Sequence, residues 1–304
     1  MSRPFHTLDV FTENAFSGNP LAVVLNAEGL DDAAMQTIAR EFNLSETVFV
    51  FEPDDPVNSA KIRIFTPARE LPFAGHPTVG TAILLAELNA REHLGGAGVT
   101  IALEEKIGLV KVDVSRRAGR TTRAFFSLPV LPKRLDVSLD TTLAAKALGI
   151  DPLEIGFGAH GLSAWSAGVP FAMVPVRSLD AIGRASITDA GALRAAFGAA
   201  GTSAAFLYTK ETVDPSHHIH ARMFAPGLGI VEDPATGAAI AAFAGVAALT
   251  EAPEDGIHQL VIEQGFEMGR PSLIVLDLDI QHGALVAASI GGAAVRVSEG
   301  RLLV

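Results

Sequence analysis

The chain contains no cysteine. Disulfides, thiolate metal sites and cysteine nucleophiles are therefore excluded, and several enzyme classes go with them. Basic residues are few: 23 Lys and Arg stand against 34 Asp and Glu, a net charge of −11. The Lys and Arg present do not cluster, and nucleic acid and anionic membranes both reward clustered cations, so neither is an expected partner. No segment approaches the roughly 20 apolar residues needed to cross a bilayer. The opening residues Met1–His6 lack the apolar core of a signal peptide, and the expected location is the cytoplasm. Low-complexity and linker-like stretches are also missing.

What is present is apolar bulk. At 304 residues and 49% hydrophobic composition the chain can fill two ordinary cores. Its organising stretch is Val231–Leu249, VEDPATGAAIAAFAGVAAL, in which no residue from Gly237 to Leu249 is polar. A surface helix shows a polar face, so a helix apolar all round must be enclosed on every side. This run is too short to span a membrane, so the enclosure is protein, and a sheet curled around the helix supplies it. The open mouth of such a wrap exposes the helix N-terminus, where free amides and a partial positive charge suit a carboxylate or phosphate.

The same design occurs earlier. Arg63-Ile-Phe-Thr-Pro67 is followed by Pro77-Thr-Val-Gly80 and an apolar run, just as Arg222-Met-Phe-Ala-Pro226 is followed by Pro234-Ala-Thr-Gly237 and its own. The offset, 224 − 65 = 159 from Phe65 to Phe224, is about half of 304 residues. Gly18-Asn-Pro20 matches Gly168-Val-Pro170, and Thr47-Val-Phe49 matches Ala204-Ala-Phe206, in the same order. Ordered matches at slowly growing offsets indicate an internal duplication. The expected architecture is α/β (α+β) with two pseudo-symmetric domains, each a curved, mostly antiparallel sheet or barrel around a central buried helix. The expected division is residues 1–119, joined by a last strand at 294–304, and residues 120–293. The tail reads as strands Leu260–Gln264, Ser272–Asp277, Gly283–Gly291 and Ala294–Val304.

Two buried helices starting at similar Pro-x-x-Gly turns can bring their N-termini to one cleft between the halves. Ala74-Gly75-His76 and Glu232-Asp233 would line it. His76 and Asp233 read equally as helix N-caps, a role that suits Asp better than His. Glu46 aligns with Ser203, which puts a carboxylate at a strand mouth in one half only. It is either a solvated strand end or a general base, and the second role needs partial burial to raise its pKa. His218 and His220 would share one strand face but lack an evident third metal ligand. His160 and Trp165 fit a cleft wall or simple packing, and Gly227-Leu-Gly229 lacks the context of a phosphate loop.

Five ordered segments resemble the PhzF-like phenazine-biosynthesis isomerase family. They are Phe16-Ser-Gly-Asn-Pro-Leu-Ala-Val23, Asn43-Leu-Ser-Glu-Thr47, Phe65-Thr-Pro67 with Gly75-His-Pro-Thr-Val-Gly80, Met223-Phe-Ala-Pro226 with Glu232-Asp-Pro-Ala-Thr-Gly237, and Gln264-Gly265 with Gly269-Arg-Pro-Ser272. The resemblance spans nearly the whole chain. It implies a diaminopimelate epimerase-like fold, a homodimer, and a cofactor-independent isomerase that moves a carbon-bound proton on a small carboxylate-bearing metabolite, without metal. By motif, Glu46 would be the general base, and His76 and Asp233 would bind and polarise the substrate. Amides of Gly237 and Ala238 would hold its carboxylate, with Asn19, Ser45 and Gly75 completing the wall. Ala238 stands where the family usually has Ser, so a substrate other than the archetype's is expected. Racemases of this fold class use two cysteines, which this chain lacks. The different-class alternative is a non-catalytic member that binds a metabolite or another protein.

Overall fold

A computed structural model describes residues 2–187, 189–228, 230–251 and 253–304; Gly229 of the Gly-Leu-Gly pair lies outside the described residues. The chain divides into two compact units, Met1–Ser127 with Gly291–Val304, and Leu128–Ile290.

In the first unit β1 (Ser2–Val10) and β2 (Asn19–Val24) pair antiparallel. Helix α1 (Asp32–Phe42) then carries the chain over to β3 (Glu46–Phe51), parallel to β2. Asp31 caps α1 by accepting from the Ala34 amide, and Asn43 ends it in the left-handed conformation. Strand β4 (Ala60–Phe65) pairs antiparallel with β3, and the short β5 (Glu70–Leu71) returns along its end into α2 (Gly75–Asn89). Strands β6 (Val99–Glu105), β7 (Gly108–Ser115) and β8 (Arg123–Ser127) follow, β6 parallel to β4 and the rest antiparallel.

The second unit repeats this order. Strand β9 (Lys133–Arg134) and helix α3 (Thr141–Leu148) lead to the antiparallel pair β10 (Ser163–Ser166) and β11 (Pro170–Pro175). Helices α4 (Leu179–Arg184) and α5 (Ala190–Phe197) connect β11 to its parallel neighbour β12 (Ala205–Thr209). Strands β13 (Ile219–Ala225) and β14 (Ile230–Asp233) come next, then α6 (Gly237–Glu251), β15 (Gly256–Gln264) and β16 (Ser272–Gln281). The last strand, β17 (Ala284–Leu303), runs from the second unit into the first, where pairing with β1 and β8 closes the ring of strands.

Helix α2 is buried at every position from Gly75 to Ala86 and touches β1, β2, β3, β6, β7 and β8. Helix α6 is buried from Gly237 to Ala247 except at Ala238, and it touches β9, β10, β11 and β16, strands from both ends of its row. Each sheet therefore wraps its helix, the arrangement an all-apolar helix demands.

Strand register refines the internal match. Thr47 lies opposite Ala22 and Phe65, and Ala205 lies opposite Ala172 and Phe224. Thr47 thus corresponds to Ala205, and Glu46 to Ala204 rather than Ser203. The sequence match paired Phe49 with Phe206, a one-residue slip that would swap sheet faces. In the structure Phe49 packs with Met35 and Ile38 under α1, and Leu207 packs with Leu193 and Phe197 under α5. The duplication extends to ion pairs. Arg63 forks onto Glu70 with both bonds at 2.7 Å, Arg222 onto Glu232 at 2.8 and 2.9 Å, and each guanidinium lies over the phenylalanine two residues on. Each fork fixes the strand that delivers the chain into a central helix.

Two boundaries differ from expectation. The division falls after β8, beyond the polar stretch around Gly119, because β8 pairs along β7. The final strand is continuous through Gly291-Gly292, which the sequence suggested as a break. Gly291 answers a packing need: a Cβ there would lie 2.2 Å from the Ala124 carbonyl oxygen and 2.4 Å from the Phe125 ring. Among the described residues no helix is long and apolar enough to cross a membrane. Replacing Gly291 with Ala should lower stability by about 2 kcal/mol, since neither backbone can yield freely; urea denaturation of the two proteins measures it.

Candidate active site

Strand β3 opens with Glu46, just after the left-handed turn at Asn43, with Ser45 half-buried between them. Glu46 faces α2, and its Oε2 lies 3.3 Å from Nε2 of His76. Both side chains are largely enclosed, with Glu46 8% and His76 5% exposed. The two atoms are close but not aligned as a hydrogen bond. Burial pushes the His76 imidazole down to about 3, so at neutral pH the ring is uncharged. The pair is thus a buried carboxyl group beside a neutral imidazole. A neutral ring can polarise a substrate group by hydrogen bonding without adding a competing positive charge.

His76 is not a cap. Ala74 holds the N-cap position of α2 and offers no side-chain acceptor, while Gly75 and His76 form the first turn. Pro77 follows within that turn, where a missing N–H costs nothing. Asn19 is fully buried at the start of β2, at the same end of the parallel β2–β3 pair as Glu46.

Behind this turn stands a carboxyl that sequence reasoning missed. Glu105, at the end of β6, lies 2.8 Å by its Oε1 from the Thr78 hydroxyl, which is also 2.8 Å from the Ala74 carbonyl. A hydroxyl has one proton and a carbonyl only accepts. The Thr78 hydroxyl therefore shares its one proton between Glu105 Oε1 and the Ala74 carbonyl, which leaves the carboxyl with little to hold a negative charge. Burial agrees, raising Glu105 to about 8. In the sequence Glu105 sits in an ordinary Glu-Glu-Lys turn and gives no signal of this.

In the second unit Asp233 ends β14 and is 8% exposed. Its Oδ2 accepts from the Thr236 hydroxyl, so it caps no backbone amide by that contact. The Thr236 carbonyl accepts the first helical bonds of α6, from Ala239 and Ile240. Helix α6 starts beyond Pro234, whereas α2 takes Pro77 inside, so the two Pro-x-x-Gly turns are not equivalent. Gly237 is buried and Ala238 half-buried at the helix start. Gln264 holds this turn by three hydrogen bonds, to the Asp233 carbonyl and to the Thr236 amide and hydroxyl.

Other candidates have structural duties. His160 bridges the Tyr208 hydroxyl and Glu251, whose charge at the C-terminal end of α6 is further met by Lys210. Trp165 packs against Gly245 and donates to Ser163. Both ring nitrogens of His220 meet carboxylates, Glu263 and Glu267, and His218 accepts from the Val261 amide. Among the described residues no group of three or more His, Asp and Glu is placed to hold a metal ion.

Residues 8–300 match the family described as phenazine biosynthesis-like protein. An uncharacterized isomerase of Mesorhizobium japonicum is 50% identical over all of this chain and 99% of its own length. The trans-2,3-dihydro-3-hydroxyanthranilate isomerase of Pseudomonas chlororaphis is 33% identical over 97% of this chain and 98% of its own. The crystal structure of a Bacillus anthracis phenazine biosynthesis protein of the PhzF family superposes with a TM-score of 0.89 at 26% identity, covering 100% of both chains.

The two buried groups of the first unit act on stability in opposite directions. His76 is lowered from 6.5, so the unfolded chain binds more protons and stability falls as pH drops from 6.5 toward 3. Glu105 is raised from 4.5, so the folded chain binds more protons and stability falls as pH climbs from 4.5 to about 8. Urea midpoints across pH should show Glu105→Gln gaining on the wild type toward pH 8, and His76→Gln gaining toward pH 4.

Proposed function

The chain belongs to the phenazine biosynthesis-like protein family and is an isomerase of diaminopimelate epimerase-like fold; from that premise we propose that it moves a carbon-bound proton on a small carboxylate-bearing metabolite, with Glu46 as the base. The observation that carries this reading is the buried Glu46 carboxyl group 3.3 Å from a neutral His76.

A carbon acid next to an unsaturated, carboxylate-bearing system loses its proton readily when positioned donors meet the developing charge. Glu46 takes the proton from one carbon and returns it to another. His76 polarises the conjugated system as a neutral donor, and its depressed pKa keeps it in that state across the physiological range. Asp233 binds a donor group of the substrate, and the amides of Gly237 and Ala238 receive the carboxylate at the start of α6. Asn19, Ser45 and Gly75 complete the substrate contacts. Because only Glu46 changes protonation, proton removal and return need one residue, which suits an intramolecular shift of a double bond.

Trans-2,3-dihydro-3-hydroxyanthranilate is the first compound to try, being the substrate named for the Pseudomonas chlororaphis relative. Ala238 lacks the hydroxyl that the family pattern carries after Thr-Gly, so a substrate without a partner for that group fits better. Proton NMR in deuterated water, run with this compound and a panel of unsaturated cyclic carboxylates, should show deuterium entering substrate or product with the wild type. Glu46→Gln should lose at least about a hundredfold in rate. A Glu46→Gln protein that exchanges as fast as the wild type removes Glu46 from the chemistry, and no exchange by either protein favours a metabolite-binding role.

A further inference from the structure

Gln264 is the fully buried last residue of β15, and its carboxamide can sit in only one orientation. The Asp233 carbonyl, 2.7 Å away, only accepts, so the NH2 faces it; the Thr236 amide, 3.2 Å away, only donates, so the oxygen faces that. The NH2 also reaches the Thr236 hydroxyl at 3.0 Å, and a carboxamide nitrogen cannot accept. Thr236 is therefore the acceptor there, which leaves its single proton for Asp233 Oδ2 at 2.5 Å. The result is an ordered chain from carboxamide to hydroxyl to carboxylate.

We propose that Gln264 is the positioning residue of the α6 entrance, setting both the location of Asp233 and the direction of the hydrogen bond that Asp233 receives. Its kinetic consequence rests on Asp233 binding substrate. The surroundings are built to hold Gln264 against this turn. Gly265 follows at φ +77, and a Cβ there would lie 2.7 Å from the Pro234 carbonyl oxygen and 2.6 Å from that of Arg270. Only glycine lets the strand end press on the Asp-Pro turn. The loop then closes on itself through the Arg270 amide to the Gly265 carbonyl at 3.0 Å. Glu267 within it is bonded at 2.9 Å to His220, whose pKa burial lowers but the opposing carboxylates of Glu263 and Glu267 carry above its ordinary value. On the other side Arg222 forks onto Glu232, the residue before Asp233. Asp233 is thus fixed through its neighbour, its carbonyl and its side chain.

A residue that merely fills space would give a different pattern on substitution from one that orders this chain, and two measurements on the full-length protein separate them. The first is the kinetics of deuterium exchange. Gln264→Met and Thr236→Val should each raise KM about tenfold with kcat changed less than about threefold. The double variant should be no worse than either, because both break one chain, and Thr236→Ser should match the wild type. The second is amide hydrogen exchange by mass spectrometry, which needs no substrate: Gln264→Met should speed exchange at residues 234–240 and leave α2 unchanged. Unchanged KM, multiplying losses in the double variant, or uniform loosening of the whole protein overturns the proposal. If the wild type turns over no compound, the isomerase reading fails by itself, and the amide exchange still decides whether Gln264 holds the turn.

Discussion

A helix without a polar face has to be surrounded, and nearly everything else here follows from that constraint. Helices α2 and α6 offer no side on which water could lie, so each is wrapped by strands and only its ends are available for chemistry. Side chains that act on a ligand are confined to the turn entering the helix and the strand ends beside it. His76, Glu46 and Asn19 in the first unit, and Asp233, Gly237 and Ala238 in the second, occupy such places.

Burial then decides which of these groups are charged. A buried imidazole with no aligned anion loses its proton, as His76 does. An imidazole between two carboxylates holds its proton more tightly than usual even though it is buried, as His220 does. Glu105, with a single hydroxyl for company, becomes a neutral acid, while Glu263 stays ionised because two backbone amides and two histidines supply donors. The same residue types take opposite states within one chain, and the count of donors around each explains the difference.

Much of this was legible in the sequence because it depends on composition and order. The all-apolar run ending at Leu249 and the repeated Arg-x-Phe-x-Pro segments gave the wrapped helices and the duplication without recourse to coordinates, and the chemical class followed from the resemblance of five ordered segments to the PhzF-like family. What escaped depends on register and distance. The correspondence of Glu46 with Ala204 needed the ladder partners of β3 and β12, because a one-residue slip costs nothing in a motif comparison and reverses a strand in space. Gly291 looked like a break because a close approach and a turn call for the same residue. Gln264 was visible as part of a motif, but its partners lie 28 and 31 residues away and nothing local pointed to them.

The continuous β17 sets the order in which this chain can be assembled. The ring of the first unit needs the strand running from Gly291 onward, yet all of Leu128–Ile290 precedes it in the chain. A ribosome therefore releases β1 and β8 with a gap between them and must finish the whole second unit before the filler arrives. Until then two strand edges stand open, a hazard for association between nascent chains. Closure joins residues as far apart as Ser2 and Leu303, at opposite ends of the sequence, so it is a slow, late event dominated by loop entropy. Cutting the chain at the boundary between the units would yield an N-terminal fragment that lacks its last stave.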